Sequence, residues 1–155
     1  MKMYATTIIV AAMLFVVPAF AATPEETAVI KTMDALSIAT DEKDIEKVAA
    51  FYTEDAVIES TARGSKTIGK AEFIAEKAKS WATAKNTFNN IQVERLELKV
   101  VVKGDQAEVS RKFEVTVTGG PDRRQPWRGS YATEYKLRQE DGRWKIYFDK
   151  TVKEN

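Results

Sequence analysis

Apolar residues recur along this chain with two different periods. Val29, Ile30, Met33 and Leu36 fall at helical spacing. Thr23 precedes them as an N-cap, Pro24 suits the first helical position, and Glu26 completes a capping box. Thr40-Asp41-Glu42-Lys43 is a polar break, after which Asp44 caps a short second helix with Ile45, Val48, Ala49 and Tyr52 on one face. Residues 56–59 read as a short strand. Gly69 opens a third helix whose inward stripe is Ala71, Ile74, Ala75, Ala78 and Ala82.

From Phe88 onward the period changes to two. Leu96, Leu98, Val100 and Val102 alternate with charged or exposed residues, Gly104-Asp105 makes a tight turn, and Ala107, Val109, Phe113, Val115 and Val117 continue the apolar face. Asp141-Gly142 is a second tight turn, joining strands over 127–139 and 143–152. A turn-rich loop over 119–126 separates the hairpins. Counting outward from the turns pairs Val102 with Ala107, Val100 with Val109 and Leu96 with Phe113. In the second hairpin it pairs Leu137 with Ile146, Tyr135 with Phe148 and Thr133 with Lys150. On the opposite face Glu97 meets Lys112 and Arg95 meets Glu114, as a solvated surface favours. The alternation shifts between Val93 and Leu96, which predicts a bulge near Glu94. Helices first and strands after is the α+β order: three helices packed on a curved mixed, mainly antiparallel sheet.

The N-terminal residues stand apart from this pattern. Lys2, the uncharged run from Ile8 to Val17, Pro18 and then Ala19-Phe20-Ala21 form a signal peptide over residues 1–21, with cleavage after Ala21. The apolar run is short for a span of about 20 residues, which disfavours an uncleaved anchor. The expectation is export to the periplasm or beyond the cell, with residues 22–155 as one domain. Loss of Lys2 from 24 basic residues leaves them equal to the 23 acidic ones, so no global attraction to nucleic acid or to a membrane remains. With no cysteine the fold depends on its core rather than on disulfides.

Several short segments carry a family resemblance. Asp44-Ile45 opens the second helix, and Phe51-Tyr52-Thr53-Glu54-Asp55-Ala56-Val57 leads into the first strand. Ile68-Gly69-Lys70-Ala71-Glu72-Phe73-Ile74 opens the third helix, and Asp141-Gly142-Arg143-Trp144-Lys145-Ile146 forms the last hairpin. In order and spacing these resemble the nuclear-transport-factor-2-like superfamily, in its SnoaL-like branch. The resemblance implies a cone-shaped domain with a pocket between helices and concave sheet. It does not imply an activity, because the superfamily includes enzymes, carriers and partner-binding modules.

The chemistry is bounded by what is absent. There is no histidine and no cysteine, which removes the commonest general base, the thiol nucleophiles and the usual transition-metal ligands. No metal and no cofactor are expected. Ketosteroid isomerase, within the resembled superfamily, needs a carboxylate and a tyrosine at positions that fall here on Ser60 and Leu36. Glu59, next to Ser60, would point to the other face. Epoxide hydrolases of that fold pair an arginine with an aspartate two residues on; Arg111 is followed there by Phe113, and Arg95-Leu96-Glu97 lies on the outer face. The segment 64–70 nearly matches a phosphate loop but continues with Ala71 where a hydroxyl should hold magnesium.

What remains is a polar set on an apolar face: Arg111, Tyr131, Thr133, Tyr135 and Lys150 as candidate ligand-binding residues. Unpaired buried cations are unfavourable. Arg111 and Lys150 therefore either face a wet pocket that takes an anionic group, or reach the rim or a helix carboxylate such as Asp34. Trp127, Trp144 and Phe148 read as core. The leading expectation is an exported pocket protein without catalytic activity, holding a small organic molecule with an apolar body. An isomerase or lyase with an unidentified carboxylate base is the alternative, and a protein-interaction module using the charged outer face is the third. Relatives of the resembled superfamily often dimerise through the sheet, whereas the highly charged outer face of this chain disfavours a homodimer.

Overall fold

The computed structural model describes residues 22–61, 64–87, 90–118 and 126–154. The expected signal segment, most of the 119–126 loop and Arg123-Arg124 lie outside them. Three helices, α1 (Pro24–Asp41), α2 (Ile45–Ala50) and α3 (Lys70–Thr87), pack against a six-stranded sheet. Its strands are β1 (Tyr52–Ser60), β2 (Lys66–Gly69), β3 (Asn90–Lys103), β4 (Gln106–Thr118), β5 (Trp127–Glu140) and β6 (Arg143–Glu154). The spatial order is β2-β1-β6-β5-β4-β3, and only the β1–β6 pair is parallel.

The helix starts follow from their caps. The Thr23 hydroxyl accepts from the Glu26 amide at 3.1 Å while the Thr23 amide donates to the Glu26 carboxylate at 2.9 Å. Asp44 caps α2 by accepting from the Lys47 amide at 3.0 Å. The core lies under α1 and α2 at the end of the sheet nearest the two tight turns, where Val29, Met33, Val48, Leu137 and Ile146 are fully enclosed.

Four expectations need correction. The segment that opens α3 is preceded by an extra strand, β2, which pairs with the end of β1. Tyr52 does not continue α2; it is the first residue of β1. The inward face of α3 is not the alanine stripe, since Ala71, Ala75, Ala78 and Ala82 are exposed. Phe73, Ile74 and Trp81 pack toward the sheet instead, because only long side chains cross the gap that α3 leaves. Finally, the sheet register slips in two places. On β3 the bulge is at Leu96, not Glu94: Arg95 pairs with Phe113 and Glu97 with Lys112, and Leu96 is 53% exposed. Arg95 consequently turns inward instead of meeting Glu114. On β6 the extra residue is Tyr147, because Leu137 pairs with Ile146 but Lys136 pairs with Phe148.

Candidate functional site

The β6 bulge decides which side chains enter the concave face. Before it, Trp144 and Ile146 point inward; after it, the inward positions become Asp149 and Thr151. A one-residue slip exchanges the two faces of a strand. Lys150 therefore does not face Thr133. It pairs in register with Glu134 on the outer face, its side chain 41% exposed and 3.8 Å from Glu59. Phe148 also leaves the expected core and lies under the Lys136 ammonium at 5.5 Å. Trp144 is in the core as expected.

Across the sheet two rows of inward residues result. Val109, Tyr135 and Asp149 are in register across β4, β5 and β6, and Arg111, Thr133 and Thr151 form the next row. All of these but Val109 line a cavity of about 240 Å³ that is walled on its other side by residues of the three helices. Arg111, Thr133 and Tyr135 thus stand where the sequence placed them. Tyr131 does not line the cavity; it stacks on Phe113 with ring centroids 5.3 Å apart.

Arg111 is 8% exposed, and its guanidinium donates to the Ser37 hydroxyl of α1 at 2.8 Å. Ser37 can accept because its own proton goes to the Met33 carbonyl at 2.8 Å. Among the described residues no carboxylate, Asp34 included, pairs with Arg111 within salt-bridge distance. A buried guanidinium that faces a cavity without a carboxylate partner has the chemistry to take an anionic group. Arg95 reaches the rim of the same cavity, where its guanidinium donates to both Asp41 oxygens at 2.9 Å.

Asp149 is the residue that sequence reasoning missed. It is 6% exposed, and its Oδ2 accepts from the Tyr52 hydroxyl at 2.7 Å. Its Oδ1 is buried with no hydrogen-bond partner among the described residues. Burial pushes this carboxyl up to about 6, while the Tyr52 hydrogen bond, the Lys77 charge and the nearby Thr151 hydroxyl pull the other way. Burial and then the Asp149 charge drive Tyr52 well above the usual phenol range, and the same two causes raise Tyr135. Both phenols are therefore neutral donors at any physiological pH.

Tyr52 is itself held in place from α3. The Lys70 ammonium donates to the Tyr52 carbonyl at 3.1 Å and to the Glu54 carboxylate at 2.6 Å. The lysine of the near-match to a phosphate loop is thus a strut between α3 and β1. Leu36 and Ser60 do line cavities beside α1 and α3 respectively, yet neither supplies a base. Among the described residues no three His, Cys, Asp or Glu side chains are grouped to hold a metal ion.

The profile of the SnoaL-like domain matches residues 21–148. The chain belongs to the SnoaL-like family. The matched span stops one residue before Asp149, so family membership fixes the fold and is silent on that carboxyl. Solved structures agree on the fold at low identity. A nuclear-transport-factor-2-like protein of unknown function from Pseudomonas putida is 18% identical with a TM-score of 0.69, over 84% of this chain and 87% of that one. A ketosteroid isomerase-like protein from Erwinia carotovora is 24% identical with a TM-score of 0.62, over 86% and 98%. A hexachlorocyclohexane dehydrochlorinase is 14% identical with a TM-score of 0.67, over 84% and 86%. No curated protein matches this SnoaL-like chain.

Proposed function

We propose that the cavity binds a small organic anion or carbonyl compound at Arg111, and that Asp149 moves a proton on it, in an isomerase or lyase reaction. The observation that carries the proposal is the Asp149 carboxyl, buried, steadied on one oxygen by Tyr52 and unpartnered on the other, in the same cavity as a buried guanidinium. A carboxyl raised to about 6 is mostly ionised at pH 7 and is a stronger base than an ordinary carboxylate. Its Oδ1 takes a proton from the carbon beside a carbonyl or carboxylate. The electron pair moves onto the substrate oxygen, and the Arg111 guanidinium stabilises the developing negative charge. The proton then returns to another carbon, or a leaving group departs. The named relatives include an isomerase-like protein and a dehydrochlorinase, both consistent with proton abstraction from carbon.

The test is exchange of carbon-bound hydrogen for deuterium in D₂O, followed by NMR on a panel of small keto acids and enones. The wild-type protein is expected to exchange at least one of them, with an acidic limb near pH 6. Asp149→Asn should bind the same compound and exchange it at least 10²-fold more slowly. Unchanged exchange in Asp149→Asn defeats the reading. Binding without exchange across the panel favours a carrier, the reading supported by the absence of any histidine and of a base at Ser60. We also infer that residues 1–21 direct export, on the strength of the apolar run and Ala19-Phe20-Ala21. N-terminal sequencing of native protein should begin at Ala22, and Met1 at that position contradicts it.

A further inference from the structure

A neighbouring cavity shares walls with the site cavity at Asp149. A second cavity of about 290 Å³ lies under α3 toward β1 and β2, and Ile58, Ile68 and Trp81 give it an apolar lining. Four residues, Phe73 and Lys77 of α3 with Asp149 and Thr151 of β6, wall both cavities. The carboxyl with the unpartnered oxygen therefore stands at their junction. Lys77 lines both cavities, its ammonium 5.2 Å from both the Phe73 and the Trp81 ring centroids. The first cavity, at about 240 Å³, and the second, at about 290 Å³, each fall below the roughly 300–1,000 Å³ of small-molecule sites, whereas the two joined fall within it.

The two ends differ in charge. At the first, the Arg111 guanidinium has no carboxylate partner among the described residues. At the second, Lys66 bonds Glu72 at 2.7 Å and also Glu76. The Glu59 and Glu76 carboxylates line that cavity, and the Lys77 ammonium lies against the Phe73 and Trp81 rings. The far end thus offers apolar surface and carboxylates that repel a second anion.

Resting on the reading of Arg111 and Asp149 given above, we propose that the two cavities form one channel for an amphipathic monocarboxylate. Its carboxylate sits at Arg111, its carbons next to the carboxylate pass Asp149 between α3 and β6, and its tail lies on Ile58, Ile68 and Trp81. Substrates of this class are flexible or flat enough to thread between a helix and a strand. Dicarboxylates are rejected because their second charge would be desolvated beside the Glu59 and Glu76 carboxylates.

Isothermal titration with butanoate, hexanoate, octanoate and decanoate tests this. Affinity should rise by roughly two- to fourfold per methylene until the second cavity is full. Octanedioate should bind at least tenfold more weakly than octanoate. Ser80→Trp, which fills the second cavity, should flatten the series while leaving butanoate unchanged. Trp81→Ala, which removes one wall of the same cavity, should reduce the slope and serves if the bulkier variant fails to fold. Arg111→Met should weaken every member alike. A flat wild-type series that still depends on Arg111 overturns the channel and leaves the anion site standing. A slope that survives both second-cavity variants, or octanedioate binding as tightly as octanoate, also overturns it. Failure of every carboxylate to bind overturns the channel and the Arg111 site together.

Discussion

Asp149→Asn should stabilise the protein at neutral pH and do little at acidic pH. An ordinary aspartate titrates near 3.8, and burial raises this one to about 6. The folded state therefore holds its proton more tightly than the unfolded chain. Between those two values the native state binds more protons, so stability falls as pH rises through the window and stays low above it. At about 1.4 kcal/mol per pH unit, a rise of roughly two units corresponds to about 3 kcal/mol lost by pH 7–8. Asparagine keeps an oxygen that can accept from Tyr52 and carries no charge to desolvate. Other carboxylates act in the opposite direction: Asp44, Glu54 and Asp55 are held below their usual range, chiefly by hydrogen bonds from the Lys47 amide, Lys70 and Arg138 respectively. Their stabilisation is lost as pH falls, so the informative quantity is the difference between variant and wild type at each pH. Urea denaturation at pH 4 and pH 8 measures it. With a slope of about 2 kcal/mol per molar urea, the Asn variant should unfold about 1.5 M later than wild type at pH 8 and nearly together with it at pH 4. Equal shifts at both pH values, or a destabilised variant at pH 8, would refute the assignment of Asp149 as a carboxyl strained by burial.

Two other substitutions probe the frame around it. Arg111→Met strands no carboxylate and leaves one Ser37 acceptor unfilled, so its stability in urea should lie within about 1 kcal/mol of wild type; a loss of about 3–5 kcal/mol would mean a buried ion pair instead. Thr23→Ala removes the hydroxyl that caps α1 at 3.1 Å and should lower stability by about 0.5–2 kcal/mol, read from the same curves with native residues kept before Ala22.

Much of this architecture could be read from local signals. The tight turns at Gly104-Asp105 and Asp141-Gly142 hold, with Gly104, Asp141 and Gly142 all at positive φ. Counting outward from them correctly paired Val100 with Val109 and Leu137 with Ile146. Arg111 and Thr133 fell on one row because β4 and β5 pair without interruption. The failures of register share one cause. Alternation propagates from a turn only until a bulge, and a bulge leaves little trace in composition. On β6 the consecutive aromatics Tyr147-Phe148 were the available sign, since both cannot be inward. Treating Phe148 as core carried the phase on to Lys150 and pushed Asp149 outside. That assignment also agreed with the general preference for exposed carboxylates, so nothing contradicted it. The same error on β3 put Leu96 inside and Arg95 outside.

These slips also explain why the site sits where it does. Near the hairpin turns the inward rows are apolar: Ala107 and Val109 on β4, Leu137 on β5, Trp144 and Ile146 on β6. Past the Tyr147 bulge the rows on the same face become Tyr135 with Asp149 and Arg111 with Thr133 and Thr151. Uninterrupted alternation on β6 would have carried the aromatic Phe148 into the pocket and placed Lys150, a second cation, opposite Thr133. The bulge instead brings one carboxyl in, against a tyrosine fixed at the start of β1 by the parallel pairing of Tyr52 with Ile146. It leaves Lys150 to solvent beside Glu59. A polar group that burial has raised to about 6 is poor for stability, and such groups concentrate where function requires them. The fold accommodates this one because the apolar rows nearer the turns, under α1 and α2, form a core that does not depend on it.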